Sequence, residues 1–104
     1  MMKNNIHFSR QALADLDDIW DYIAHKINNP IAAGHTTEGI LHAVEQLEFF
    51  PGAGKTLYFS NGINSGYRFI VYKKYMVFYR INDTDILIDR ILYGKRDYMK
   101  LLFP

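Results

Sequence analysis

Two arginines in the C-terminal half of the chain each lie close to a glycine and a tyrosine. The segments are Ser65-Gly66-Tyr67-Arg68 and Gly94-Lys95-Arg96-Asp97-Tyr98. A guanidinium group stays charged and presents a planar fork of donors that matches phosphate and carboxylate oxygens. If both arginines lie at strand ends of one sheet, their side chains can converge on a phosphate or on the acidic side chains of a protein.

A second candidate is the glycine-rich segment Gly52-Ala53-Gly54-Lys55-Thr56, which resembles the end of a phosphate-binding loop. That motif requires a glycine where this chain has Phe49, and it requires a strand before the loop and a helix after it. Here a helix is predicted before the segment and a strand after it. We therefore predict a helix-terminating turn.

A third candidate is a metal site formed by His35, Glu38 and His42, which share one face of a predicted helix. A fourth ligand is not evident, and this face lies opposite the apolar stripe of the same helix. The sequence therefore predicts solvated side chains here, with no metal and no cofactor. The other strand arginines, Arg80 and Arg90, are expected to face solvent or to pair with a nearby acid, which for Arg90 is the adjacent Asp89.

Charge is divided unevenly between the two halves of the chain, although the net charge is only +1. Residues 1–54 carry three basic and seven acidic side chains, a net of −4, whereas residues 55–104 carry nine basic and four acidic ones, a net of +5. Such asymmetry is typical of a face that meets an acidic partner, although ordinary solubilising charge gives the same pattern.

Composition indicates a single domain over residues 1–104, with 49% hydrophobic and 15% aromatic residues to build a core. The chain has no cysteine, which excludes disulfides and thiolate metal sites and favours a reducing compartment. We find no signal-peptide pattern and no apolar run of membrane-spanning length. The expectation is a cytoplasmic protein that does not enter a membrane.

The first half of the chain is predicted to form an edge strand at Ile6–Phe8 and two helices. Ser9 is a candidate N-cap for a helix over about 10–27, and Asn29 with Pro30 begins a second helix that ends before Pro51. The predicted buried stripe of the first helix is Leu13, Leu16, Ile19, Trp20, Ile23 and Ile27, and that of the second is Ile40, Leu41, Val44 and Leu47. The aspartates of the first helix, Asp15, Asp17, Asp18 and Asp21, fall mostly opposite and are expected to be solvated rather than to form an acid/base pair.

The second half is predicted to be a sheet. A short strand at Thr56–Phe59 precedes three longer runs, Tyr67–Tyr72, Tyr75–Ile81 and Ile86–Tyr93, which short connections join into an antiparallel meander. A helical turn is predicted within Asp97–Phe103. The fold class is therefore α+β, with an N-terminal strand, an antiparallel helical hairpin packed on an antiparallel sheet, and a short C-terminal segment.

Taken in order, these segments resemble the RelE/ParE superfamily of bacterial type II toxin–antitoxin toxins. The resemblance rests on the first helix, especially as in the ParE branch, and on the closing of the second helix by Leu47, Pro51 and Gly54. It continues through Gly66-Tyr67-Arg68, Val77-Phe78-Tyr79-Arg80 and Ile88-Asp89-Arg90-Ile91-Leu92-Tyr93-Gly94-Lys95-Arg96-Asp97. The resemblance implies a growth-inhibiting toxin and a cognate antitoxin that neutralises it, with operator DNA contacted only through the antitoxin.

The superfamily contains two activities, and the residues favour one of them. RelE-like toxins cleave mRNA on the ribosome, and Arg68 and Arg96 match two arginines used there. The positions of the upstream lysines are Phe59 and Asn61 in this chain, and the position of the C-terminal tyrosine is Leu102. ParE-like toxins instead bind and poison DNA gyrase. We favour gyrase inhibition over RNA cleavage, and a non-toxic antitoxin-binding co-repressor is a further alternative.

The resemblance also implies the residues that contact the target, which we take as Tyr67, Arg68, Arg90, Lys95, Arg96 and Tyr98. For a metal-independent endoribonuclease the catalytic candidates are Arg68, Arg96, Lys95 and Tyr98, with Lys55 as a further proton-transfer group.

Overall fold

A computed structural model describes residues 3–104, and its elements follow the order that the sequence predicts. Strand β1 is Asn5–Phe8, helix α1 is Arg10–Asp21, and a π-helical turn at Tyr22–Lys26 extends α1. Helix α2 is Pro30–Glu45, followed by 3₁₀ turns at Gln46–Glu48 and Pro51–Ala53. The remaining elements are β2 (Lys55–Tyr58), β3 (Asn64–Tyr72), β4 (Tyr75–Asn82), β5 (Asp85–Tyr93) and α3 (Tyr98–Leu102).

The five strands form one sheet in the order β1-β5-β4-β3-β2. Strands β2 to β5 are an antiparallel meander, as predicted, and β1 pairs in parallel with β5 at one edge. This arrangement returns the N-terminus to the sheet beside the last strand, which places α1 directly over β5.

The N-caps of both long helices are those predicted. The Ser9 hydroxyl accepts a hydrogen bond from the backbone N–H of Ala12 at 2.9 Å, and the Asn29 side chain accepts one from Ala32 at 3.1 Å. Each cap satisfies one of the N–H groups that a helix N-terminus leaves without an intrahelical partner.

The main core lies between the helical hairpin and one face of the sheet. It contains Ile40 and Val44 of α2, Leu47 of the 3₁₀ turn that follows, Val77 and Tyr79 of β4, and Ile86, Ile88 and Ile91 of β5. A smaller core on the other face forms where α3 covers Leu57, Phe78 and Leu92. Both faces of the sheet therefore carry apolar side chains, and each face has its own cover.

The predicted stripe of the first helix is partly wrong. Leu13, Trp20 and Ile27 are exposed, whereas Ala12 and Asp15 are buried beside Ile19. The face of α1 that packs on the sheet includes the carboxylate of Asp15, which has hydrogen-bond partners there. Hydrophobic periodicity does not identify a buried charged residue of this kind. The second-helix stripe is confirmed at Ile40, Val44 and Leu47, while Leu41 is half-buried.

Within residues 3–104, no helix combines the length and the apolar character that crossing a bilayer requires.

Candidate functional site

Strand β5 contains a bulge that directs two adjacent charged residues to different partners. Phe78 pairs with Arg90 and Tyr79 pairs with Ile88, so Asp89 is an extra residue without a cross-strand partner. Asp89 accepts a hydrogen bond from Arg80 Nε at 2.7 Å. Arg80 thus faces solvent and pairs with a nearby acid, as predicted, and the acid is Asp89.

The same expectation for Arg90 is wrong, because Arg90 pairs with Asp15 of α1. Its Nε and Nη2 donate to the two carboxylate oxygens at 2.8 and 2.9 Å, and the backbone N–H of Ile91 donates to Asp15 at 2.9 Å. The side chains of Arg90 and Asp15 are only 15% and 8% exposed. Arg90 is thus held inside the fold, where its guanidinium is not free to contact a target as predicted, and Asp15 is not one of the solvated acids.

Tyr67 belongs to a cluster on the α3 side of the sheet. Its hydroxyl donates to Asp89 Oδ2 at 2.8 Å, and the guanidinium of Arg80 lies 5.8 Å from the ring centroid. Phe103 of the C-terminal segment packs edge-on against the same ring at 5.6 Å. Burial, assisted by the hydrogen bond to Asp89, raises the pKa of Tyr67 to about 12. A hydroxyl in this setting keeps its proton at neutral pH.

The raised pKa of Tyr67 predicts a loss of stability in strong base. Because this pKa is higher in the folded than in the unfolded chain, its contribution is complete below pH 10 and is lost as the pH rises toward 12. Between pH 10 and pH 12, the free energy of unfolding measured with denaturant should fall less for Tyr67→Phe than for the wild type. The exposed Tyr58, changed to phenylalanine, is the matched control and should follow the wild type. If the free energy of unfolding falls equally with pH in Tyr67→Phe and in the wild type, the raised pKa does not belong to Tyr67.

Arg68 anchors the turn that the sequence resemblance highlighted at Pro51 and Gly54. Its Nη1 donates to the Gly54 carbonyl at 2.9 Å. The buried Tyr79 hydroxyl accepts from the Gly54 N–H at 2.9 Å and donates to the Pro51 carbonyl at 2.8 Å. The segment is a 3₁₀ turn with a helix before it and a strand after it, as predicted, and Gly54 leaves room for the Tyr79 side chain.

Arg68 and Arg96 are separated along the length of the sheet. Arg68 pairs with Tyr79 across the sheet, whereas the strand that leads to Arg96 ends at Tyr93, which pairs with Tyr75. Along β4 the four steps from Tyr75 to Tyr79 cover about 13 Å at the rise of a strand. Arg96 follows the end of β5, whereas Arg68 lies in the middle of β3.

Arg96 instead joins three lysines at one end of the molecule. The N–H of Gly94 donates to the carbonyl of Lys74 at 2.8 Å, which holds the exit of β5 against the two-residue turn between β3 and β4. We call Lys73, Lys74, Lys95 and Arg96 the basic end; all four are exposed. Among residues 3–104, no carboxylate forms an ion pair with any of them.

Lys95 and Arg96 were predicted as site residues, whereas Lys73 and Lys74 were predicted only as a turn. The sequence does hold a signal for the second pair, because two adjacent lysines occupy the β3–β4 connection, next to the strand end that leads toward Arg96. Tyr98, also predicted to contact a target, lies half-buried over Phe78 with ring centroids 5.1 Å apart. Its ring belongs to the smaller core rather than to the basic end.

A cleft of about 800 Å³ opens beside the basic end, between the first helix with its π-helical turn and the end of the sheet. Its lining is mainly apolar and includes Ile19, Ile23 and Ile91, and Lys73, Lys74 and Arg96 also line it. Burial, followed by the nearby hydroxyls of Tyr22 and Tyr93, raises the pKa of Tyr75. An apolar floor with cations at its rim suits a partner that is both apolar and negatively charged.

The described part of the chain holds no group of three or more histidine, aspartate or glutamate side chains arranged to bind a metal. His42 lies 3.8 Å from Glu45 on the exposed side of α2, while His35 is exposed. The interpretation of the histidines as surface side chains agrees with this geometry.

Comparison with known proteins decides the family. The family model described as ParE toxin of the type II toxin–antitoxin system, parDE, matches residues 6–98. The chain belongs to the ParE toxin family. Toxin ParE1 of Caulobacter vibrioides is 33% identical over 85 residues, which is 82% of this chain and 83% of that protein. The chain is thus a toxin of the type II toxin–antitoxin class.

Solved structures agree with the ParE assignment at the level of fold. The chromosomal ParDE system of P. aeruginosa matches with a TM-score of 0.75 and 23% identity, covering 91% of this chain and all of that one (100%). The RelBE2 toxin–antitoxin complex of Mycobacterium tuberculosis matches with a TM-score of 0.61 and 22% identity, covering 89% and 93%. The α+β architecture of the RelE/ParE superfamily is confirmed.

Proposed function

We propose that this ParE-family toxin arrests growth by binding DNA gyrase, and that a cognate antitoxin neutralises it. The separation of Arg68 from Arg96 carries this choice over RNA cleavage. Stabilising a phosphate during cleavage requires cations and proton-transfer groups gathered around one phosphorus atom. Here Arg68 lies in the middle of β3 and Arg96 follows the end of β5, and the Arg68 side chain donates to a backbone carbonyl.

The other groups near Arg68 support the same proposal. The Tyr67 hydroxyl donates its proton to Asp89 and has a raised pKa. Arg80 donates to that same carboxylate. These side chains form a closed hydrogen-bonded set, which suits a structural role on the sheet.

The basic end supplies the features of a binding surface. Four exposed cations from two adjacent connections adjoin an apolar cleft. Charged groups at the rim of an interface steer association with an acidic partner, while the apolar centre supplies affinity. Within this proposal the basic end and the cleft meet gyrase, the antitoxin competes for the same surface, and the protein acts in the cytoplasm.

The test replaces the two cations of the basic end that the sequence already identified. Induced expression of the wild type should arrest growth, and the purified chain should inhibit supercoiling by purified gyrase. The double variant Lys95→Ala and Arg96→Ala should raise the inhibitory concentration by about tenfold or more, since losing two rim charges is worth on the order of 1–2 kcal/mol. Arg10→Ala removes an exposed arginine at the start of α1 and is the matched control, which should behave as wild type.

Two outcomes would overturn this proposal. Supercoiling that is untouched while transcripts are cut within codons would establish the RelE-like alternative. Growth that continues normally, with the chain still bound to the product of a neighbouring antitoxin gene, would establish the co-repressor alternative. Unchanged potency of the double variant would show that the basic end is not the contact surface.

A further inference from the structure

The cleft beside the basic end has the dimensions of a small-ligand site. Its volume is about 800 Å³, within the range of about 300–1,000 Å³ typical of pockets that enclose one ligand. Ile19 and Ile23 form one wall, and Ile91 of β5 forms another. Such a floor favours a flat apolar group.

Three tyrosines line the cleft, one from the π-helical turn and two from strand ends. Tyr75 and Tyr93 are neighbours, with ring centroids 6.1 Å apart and planes inclined at 55°. In the π-helical turn the N–H of Ile27 donates to the carbonyl of Tyr22 at 3.1 Å, an i to i+5 bond that places both side chains along the cleft. Tyrosine faces stack with nucleobases, and each such contact is worth about 1–3 kcal/mol.

The cations of the cleft are Lys73, Lys74 and Arg96. Lys73 has φ of 53°, the left-handed region that glycine and asparagine occupy most readily. A lysine at this position of a two-residue hairpin turn carries a conformational cost of about 1 kcal/mol. This backbone conformation places the charge of Lys73 at the mouth of the cleft. Asp18, which also lines the cleft, offers an acceptor for a base amine or a ribose hydroxyl.

We propose that this cleft binds a nucleoside polyphosphate, with its base among Tyr22, Tyr75 and Tyr93 and its phosphates at Lys73, Lys74 and Arg96. A bare polyanion would use the cations and leave the apolar floor and the rings uncovered. An uncharged aromatic ligand would cover the floor and leave three like charges unneutralised. A nucleoside polyphosphate satisfies both regions with one molecule that a cleft of this volume accommodates. The proposal does not rest on gyrase as the target, although a nucleotide bound here would compete with any partner of the basic end.

The test is calorimetric titration of the purified full-length chain with ATP, adenosine and inorganic tripolyphosphate. ATP should bind at least about tenfold more tightly than either fragment, because only ATP engages both regions of the cleft. Equal binding of ATP and tripolyphosphate would reduce the site to a nonspecific basic surface. Absence of ATP binding would overturn the proposal outright.

Two variants assign the binding to the cleft. The double variant Lys73→Ala and Lys74→Ala should weaken ATP and tripolyphosphate alike by about tenfold or more. Tyr93→Leu should weaken ATP by about fivefold or more through lost stacking and leave tripolyphosphate unchanged. Lys55→Ala, an exposed lysine on β2 that does not line this cleft, is the matched control, and each variant is checked by its melting curve. ATP affinity that is the same in both cleft variants and the control would place the ligand elsewhere.

This experiment fails independently of the gyrase experiment. A chain that inhibits supercoiling without binding ATP contradicts only the nucleotide site. A chain that binds ATP in the cleft and leaves gyrase untouched contradicts only the proposed target.

Discussion

Replacing Gly54 by alanine is expected to lower the free energy of unfolding by about 3 kcal/mol, since overpacking a rigid site costs about 1–3 kcal/mol or more. A Cβ at this position would overlap the Tyr79 hydroxyl and would meet Tyr79 Cε1 at 2.7 Å and the Phe69 carbonyl at 2.8 Å. Tyr79 is fully buried, and its hydroxyl bridges the turn, so it cannot move aside cheaply. Denaturant unfolding of the purified variant measures the effect.

Gly52→Ala is the matched control for this substitution. It lies in the same turn, and a Cβ there would have no atom within 4 Å, so its effect should stay within about 0.5 kcal/mol. The double variant Gly54→Ala and Tyr79→Phe removes the closest contact and should show favourable coupling between the two sites. A Gly54→Ala variant as stable as Gly52→Ala would show that the turn opens freely and that the tyrosine does not fix it.

Arg90→Met is expected to destabilise the fold by about 3–5 kcal/mol, because it leaves the carboxylate of Asp15 buried without its ion-pair partner. Arg90 holds Asp15 through two hydrogen bonds, and both side chains are largely buried between α1 and β5. The N–H of Ile91 remains as a donor to Asp15, but it does not neutralise the charge. Chemical denaturation gives the free energy, and circular dichroism reports whether α1 stays helical.

Arg80→Met tests the same change in a more exposed ion pair. The Arg80 side chain is 48% exposed, so its loss should cost about 1 kcal/mol or less. A double variant with Asp15→Leu and Arg90→Met should recover most of the loss, since it removes both buried charges together. If Arg90→Met costs no more than Arg80→Met, the Asp15 pair does not hold α1 to β5.

Hydrophobic pattern and turn chemistry were sufficient to predict the elements of this fold. Ser9 and Asn29 marked the helix starts, and the lysine pair at 73–74 marked the turn between β3 and β4. The pattern was not sufficient to orient α1, because its sheet-facing side contains Asp15. A buried carboxylate is recognisable only from its partners, and Arg90 and Ile91 lie more than 70 positions away in the chain.

The site was predicted less completely than the fold, for a related reason. Lys95 and Arg96 were recognised as a local motif, whereas their association with Lys73 and Lys74 depends on the hydrogen bond from Gly94 to the β3–β4 turn. A convergence of Arg68 with Arg96 would require both residues to lie at the same end of the sheet. Strand register, which no local motif specifies, places Arg68 in the middle of β3 and Arg96 beyond the end of β5.

The extra residue in β5, Asp89, allows this one strand to contribute apolar side chains to both cores. Ile88 and Ile91 both face the helical hairpin, although a regular strand would put residues three apart on opposite faces. Beyond Asp89 the alternation is inverted, so Leu92 packs under α3. The strand is therefore two short segments of opposite phase joined at one point. If a related chain lacked this residue, the side chains of its last four β5 positions would each face the other side of the sheet. The apolar residues at these positions would then have to be exchanged between the two faces to keep both cores filled.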